Sequence, residues 1–263
     1  MGQAVTIYVG TSGWQYKDWR PAFYPPKLPL RTWLSYFAER FQVVEVNNSF
    51  YQLPTHETVR RWAEATPPDF LFAMKMTRYV THIKRLKDPK EPVERFVDVA
   101  TELGPKLGPV LLQLPPSLQR DLPSLGATLE AFPPSIRVAV EFRHDSWYGR
   151  ETQQMLSEHH AALCIADRKG HVRPPMDQTT EWGYVRLHEG TAWPNPCYGD
   201  AALQAWADRI MDRWGGDGDA YVFFNNDAHA CAVQDARLLA AMLAERGVVV
   251  SRFPAADEVH IAA

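Results

Sequence analysis

The sequence predicts a TIM-like (β/α)8 barrel with an irregular sixth unit, and three observations lead there. Eight short β-rich runs alternate with segments of helical period along nearly the whole chain. The runs are almost continuously apolar, as strands of a parallel sheet covered by helices on both faces must be. Eight strand–helix units in roughly 250 residues is also the usual size of such a barrel. An open doubly wound sheet is the structural alternative.

The first run is IYVGTSG at 7–13, followed by a loop dense in aromatics and prolines, WQYKDWRPAFYPPKLPL. Apolar residues three and four apart predict a first helix over 31–41. The pattern repeats with VVEVNNSF at 43–50 and a helix over 56–66, then FLFAMKM at 70–76 and a helix over 91–104. GPVLLQL at 108–114 precedes a helix over 122–132, and RVAVEFR at 137–143 precedes one over 151–160. After ALCIAD at 162–167 comes RKGHVRPPMDQTTE, whose two prolines and lack of helical period predict a loop in place of the sixth helix. WGYVRLH at 182–188 with a helix over 199–215, and AYVFFNND at 220–227 with a helix over 232–247, complete the count. No linker, internal repeat or low-complexity tract interrupts the chain, so one domain over 1–263 is expected. The tail after residue 247 fits either an added strand or loose packing.

Composition narrows the partners. Lys plus Arg total 28 against 31 acidic residues, so a whole-surface nucleic-acid binder is excluded and any basic patch must be local. No apolar run approaches the roughly 20 residues of a membrane span, and the amino terminus lacks a secretory pattern. The three cysteines are odd in number and form no C-x-x-C pair, which points to a reducing, cytoplasmic setting. Cys164 and Cys231 read as small hydrophobes, and Cys197, in the loop after the seventh run, reads as a reactive-thiol candidate.

The polar residues fall where the runs end. Gly10, Ser12, Gly13 and Trp14 close the first run; Glu45, Asn47 and Tyr51 follow the second; Lys75 ends the third and His82 follows it. Gln113 ends the fourth, Glu141 and Arg143 the fifth, with Trp147 beyond, and Asp167 the sixth. Arg186 and His188 end the seventh, and Asn225, Asn226 and Asp227 the eighth. Side chains two apart share one face of a strand, so Glu45 with Asn47, Glu141 with Arg143, Arg186 with His188, and Asn225 with Asp227 point the same way. In a (β/α)8 barrel all carboxyl ends meet on one rim, where such enzymes build their sites. Polar groups from residues 10 to 227 therefore converge on one bowl.

The residue types set the expected chemistry. Lys75, Arg143, Arg186 and two histidines would receive an anion, and aromatics such as Trp14, Tyr51, Trp147 and Trp193 suit a sugar or base face. Gly10, Ser12 and Gly13 read as a backbone cradle for an oxyanion rather than as a nucleophile elbow, because a long loop follows them. Glu45, Glu141, His188 and Asp227 are the catalytic candidates, with the two glutamates as general acid and base and His188 as proton carrier. A divalent metal on the same four would permit phosphoester hydrolysis. With nine histidines and no H-x-H or H-E-x-x-H spacing, the expectation is chemistry without metal or cofactor.

The stretches GTSGWQYKDW, VEVNNSFYQLP, FAMKMTRYVTH, GPVLLQLPPS, VEFRHDSW, YVRLH and VFFNNDAHACAVQDA together resemble the YecE-like family, domain of unknown function 72, from about residue 7 to residue 245. The resemblance implies a TIM-like barrel and implies no activity. One departure is His188-Glu189-Gly190, where similar sequences often read His-Gly. The expected function is an enzyme acting on a phosphorylated or sugar-like small molecule by acid–base or hydrolytic chemistry. The alternative is a non-catalytic nucleic-acid-binding or repair-associated barrel.

Overall fold

The computed structural model describes residues 5–168, 171–172, 178–190, 196–216 and 218–260, without the side chains of 168, 171 and 172. The strands are β1 (Ile7–Thr11), β2 (Val43–Val46), β3 (Leu71–Lys75), β4 (Leu107–Gln113), β5 (Val138–Glu141), β6 (Ala162–Arg168), β7 (His171–Val172), β8 (Gly183–Leu187) and β9 (Ala220–Phe224). The sheet order β5-β4-β3-β2-β1-β9-β8-β6 closes on itself through β5 and β6, and every one of these neighbours is parallel. The barrel is therefore complete. Among the described residues only β7, a short antiparallel return on β6, stands outside it.

Helices α1 (Trp33–Arg40), α3 (His56–Glu64), α4 (Lys90–Ala100), α5 (Leu122–Glu130), α6 (Arg150–Glu158), α7 (Asp200–Trp214) and α8 (Cys231–Glu245) surround it. Local chemistry starts two of them: Thr55 Oγ1 accepts from Thr58 N at 3.2 Å, and Asp121 Oδ1 accepts from Ser124 N at 3.1 Å with Pro123 in the first turn. Their inward faces pack on the barrel wall, for example Phe37 with Phe41 and Phe70, and Leu239 and Leu243 of α8. Each such fully buried side chain contributes about 1.5–3 kcal/mol. No α-helix lies between β6 and β8 among the described residues, as the prolines there predicted. No helix of the described residues is long and apolar enough to cross a membrane.

Two sequence expectations change, and the open question of the tail is answered. The second and eighth runs stop at Val46 and Phe224, because Asn47 (φ −86°) and Asp227 (φ −67°) turn into helical conformation; Asn47 starts a one-turn helix α2 (Asn48–Tyr51). The tail is fastened: Ile7 N donates to Val249 O at 2.9 Å, Ser251 N to Ile7 O at 3.0 Å, and Val9 N to Ser251 Oγ at 3.1 Å. The cysteine reading is also corrected. Cys197 and Cys231 form a disulfide with Cα atoms 4.9 Å apart, so neither is a free thiol; Cys164 is buried and free. Their 34-residue separation hid the pairing, which the barrel creates by laying the loop after β8 against the start of α8.

The barrel interior is layered. Val43, Ala73, Leu111, Ala139, Cys164, Tyr184 and Phe223 fill it as an apolar cluster separate from the outer core. Two residues further along the same inward faces come Glu45, Lys75, Gln113, Glu141, Arg186 and Asn225, at the carboxyl ends. The period of two thus turns one strand pattern into an apolar floor and a polar mouth.

Candidate active site

Arg186 of β8 is the hub. Its Nε donates to Glu45 Oε2 at 2.9 Å, its Nη2 to Glu45 Oε1 at 2.8 Å and its Nη1 to Glu141 Oε2 at 2.7 Å. Glu45 also accepts from Ser12 Oγ at 2.8 Å and Tyr184 Oη at 2.7 Å. Glu141 accepts from Gln113 Nε2 at 2.8 Å and Arg143 Nε at 2.9 Å. Burial alone would raise both carboxyls, but the Arg186 guanidinium overrides it and holds them below the ordinary carboxylate range. Burial, then the charge on Glu45, keeps the Tyr184 hydroxyl protonated as a donor. Tyr184 was missed from sequence, although it shares the inward face two residues before Arg186.

Glu45 and Glu141 thus stand as ionised carboxylates whose oxygens accept from these donors. Ser12 N donates to Phe224 O at 2.8 Å and its hydroxyl is taken by Glu45, while a Cβ on Gly10 would lie 2.3 Å from Val43 O. Gly13, at φ +110°, turns the chain and is bonded through its carbonyl by Thr11 Oγ1 at 2.7 Å. The first loop therefore braces the network. Trp14 and Trp147 are buried, and Trp147 stacks on Phe142 and donates to Leu118 O at 2.7 Å. Asn226 points away from the mouth, donating to Pro196 O at 2.9 Å and Asp235 Oδ2 at 2.7 Å. Asp167 also leaves the bowl, accepting from Trp206 Nε1 at 3.3 Å. Trp193 lies outside the described residues.

Above the network the mouth holds His188, Asn225, Asn47, Lys75 and His82. Arg186 Nη1 is 3.3 Å from His188 Nε2, and a guanidinium only donates, so Nε2 is the acceptor and the ring proton sits on Nδ1. Nδ1 faces the Asn225 amide at 2.9 Å, which must present its oxygen there. Burial, then Arg186, pushes His188 down to about 4, so it is neutral at pH 7. Asn47 Nδ2 lies 3.4 Å from Ser12 O.

Lys75 differs from every other charge in the mouth. It is 8% exposed, and its Nζ stands 4.3 Å over the Phe50 ring. Among the described residues it has no ion-pair or hydrogen-bond acceptor. Burial, then Arg186, lowers it to about 8. His82 packs edge-on to the same ring at 4.9 Å and pairs with Thr81 Oγ1 at 2.8 Å. Burial, then Lys75 and three arginines, pushes His82 down to about 4.

Asp227 lies beside Tyr16 in the loop after β9. Burial raises its carboxyl to about 7, with further raising by Asp18 and Glu45 against the Tyr16 hydrogen bond. Its Oδ1 is buried without a partner. Among the described residues no group of three or more His, Cys, Asp or Glu is arranged to hold a metal ion.

Residues 8–258 match the family described as protein of unknown function DUF72. The chain belongs to this family. A DUF72 family protein of Thermotoga maritima MSB8, solved by crystallography, superposes with a TM-score of 0.79 at 30% identity, covering 91% of this chain and 99% of that one. The UPF0759 protein YecE of Escherichia coli K12 is 33% identical over 153 residues, 57% of this chain; the chain spans about half of that relative, 54% of its length. The UPF0759 protein YunF of Bacillus subtilis 168 is 23% identical over 90% of this chain and 94% of its own. The chain thus shares its barrel with the Thermotoga protein.

Proposed function

We propose that this DUF72 protein is an enzyme that takes a phosphorylated substrate at Lys75 and moves a proton with Asp227. One observation carries the reading. Lys75 is a buried cation with no counter-ion, in a mouth where Glu45 and Glu141 are already bonded to Arg186 and Arg143. A buried charge left unpaired is costly unless a ligand completes it. A phosphate oxygen supplies that charge. The buried rings of Trp14 and Trp147 favour phosphate over a stacked sugar.

Asp227 supplies the proton chemistry. Near pH 7 it is divided between acid and carboxylate, the condition in which one group both gives and takes a proton efficiently. Arg186 holds the floor rigid, and His188, fixed as a neutral ring by Arg186 and Asn225, contributes orientation. In phosphoester hydrolysis the water oxygen forms the new P–O bond, the ester P–O bond breaks, the Asp227 proton goes to the leaving oxygen, and the proton lost by the attacking water returns to the Asp227 carboxylate.

The test is thermal denaturation with inorganic phosphate, then turnover of a phosphoester panel. Phosphate at a hundred times its Kd should stabilise the protein by about 2.7 kcal/mol. Lys75→Met should abolish that gain, and Asp227→Asn should lower turnover roughly a hundredfold while leaving the gain intact. Equal stabilisation of Lys75→Met would remove the basis of the assignment.

A further inference from the structure

Beside the mouth runs a groove of about 430 Å³, walled by Phe50, Tyr51, Arg78, Tyr79, Ile83 and Arg95. Tyr51 is 72% exposed, Ile83 60% and Tyr79 49%, so three of the five exposed large hydrophobics of the described residues gather here. Single exposed apolar side chains are ordinary; a cluster marks a binding surface. Arg78 and Arg95 make no ion pair or side-chain hydrogen bond with any described residue, although Glu91 also lines the groove. Flat apolar faces thus alternate with free cations. A second groove of about 450 Å³, with Asn48, Gln52 and Thr55, lies across Tyr51, which stands as the ridge between them. Phe50 joins the first groove to the mouth, since its ring is the one beneath Lys75 Nζ and against His82.

We propose that this surface binds single-stranded nucleic acid, with bases stacked on Tyr51 and Tyr79, phosphates on Arg78 and Arg95, and a backbone phosphate led to Lys75. The inference rests on the reading of Lys75 as an anion site and names the substrate class. Aromatic rings interleaved with arginines match a ligand whose flat apolar units alternate with anions. Two grooves sharing one tyrosine require a ligand longer than a mononucleotide. A duplex hides its base faces and leaves the tyrosines uncovered. The formal charge of −3 gives no whole-surface attraction, so such binding needs a local cationic face.

Fluorescence anisotropy with a short labelled thymidine oligonucleotide tests it on the intact protein. Tyr51→Ala and Tyr79→Ala should each weaken binding roughly tenfold, and these exposed positions leave the fold unchanged. Arg78→Ala should reduce the slope of log affinity against log salt by about 0.7, the share of one phosphate on a single strand. Thymidine monophosphate and duplex DNA should bind more weakly than the oligonucleotide. The proposal is overturned if the tyrosine variants bind as the parent does, if heparin competes equally with parent and variants, or if the patch proves to be a dimer contact that Tyr51→Ala dissociates. Failure here with Lys75-dependent phosphate binding retained rejects the nucleic acid alone; loss of both rejects the anion site as well.

Discussion

Arg186 and Glu45 meet at two points, Nε to Oε2 at 2.9 Å and Nη2 to Oε1 at 2.8 Å, with side chains 1% and 0% exposed. This fork joins β8 to β2 across the barrel, and Glu141 on β5 completes the span from a third strand. Two buried carboxylates share one guanidinium directly, and Arg143 adds a second charge to one of them. The arrangement is a rigid base on which the more exposed groups of the mouth stand.

Breaking the hub should be severe. Arg186→Met leaves Glu45 and Glu141 facing each other without their shared cation, and removal of one partner from a buried ion pair costs about 3–5 kcal/mol. At roughly 2–4 °C per kcal/mol the melting temperature should fall by roughly 10 °C. Glu141→Gln should cost less, because Arg186 keeps Glu45 and Arg143 is partly exposed and can turn to water. Urea denaturation of the two variants decides the order, and a harmless Arg186→Met would show that the carboxylates find other partners.

Lys75→Met should stabilise the unliganded protein, with a pH signature. Lys75 titrates at about 8 in the fold against an ordinary value near 10.4, so between these values the unfolded chain binds the extra proton. Parent stability therefore rises with pH across that window through this group, and the variant lacks the rise. The advantage of Lys75→Met should be largest at pH 7 and close by about pH 10. Chemical denaturation of both proteins at the two pH values measures it; a pH-independent gap would mean that Lys75 is paired or well solvated.

Asp235 and His188 should bias stability in opposite directions. Asp235 is raised to about 7 by burial, even though Tyr198 N and Asn226 Nδ2 donate to it, and its Oδ1 has no partner. Its folded pKa exceeds its unfolded value near 3.9, so its contribution is full below that value and lost as pH rises through 7. Asp235→Asn keeps an accepting oxygen and should raise stability at pH 8 while changing little at pH 4. His188, pushed down to about 4, stays neutral while the unfolded ring gains a proton below about 6.5. Its contribution is lost as pH falls from there towards 4, and His188→Gln should flatten that acid limb. Denaturation midpoints from pH 4 to 8 check both.

Much of the fold was legible because it follows from short-range rules. The apolar runs fixed the strands, and Thr55 and Asp121 marked helix starts. The convergence of Glu45, Glu141 and Arg186 followed from period two plus closure. What stayed hidden depends on who meets whom. Nothing local in VEV or VEF says that Arg186 will pair with both glutamates. Trp14 and Trp147 looked like ligand faces because sequence places a ring in a loop without saying whether the loop folds under. Lys75 was visible as a cation, whereas its lack of a counter-ion emerges only once its neighbours are engaged elsewhere. Arg78 and Tyr79 lie in the stretch FAMKMTRYVTH, yet nothing in it says that they share a groove with Arg95 of α4.

The loop after β8 offers the last test. The Cys197–Cys231 bond ties it to the first residue of α8, and two further contacts hold the same stretch: Asn226 Nδ2 to Pro196 O at 2.9 Å and Tyr198 N to Asp235 Oδ2 at 2.8 Å. Closing a loop with 34-residue separation contributes about 3–4 kcal/mol in the chain-entropy model. Reduction should therefore lower the melting temperature by roughly 10 °C, while the hydrogen bonds keep the loop seated in the folded protein. Thiol titration of the unreduced chain in denaturant should find one group, Cys164, of the three cysteines, and all three after reduction. Three thiols without reductant would mean that the protein as purified carries the pair open, and the reduced form would then show no further loss of stability.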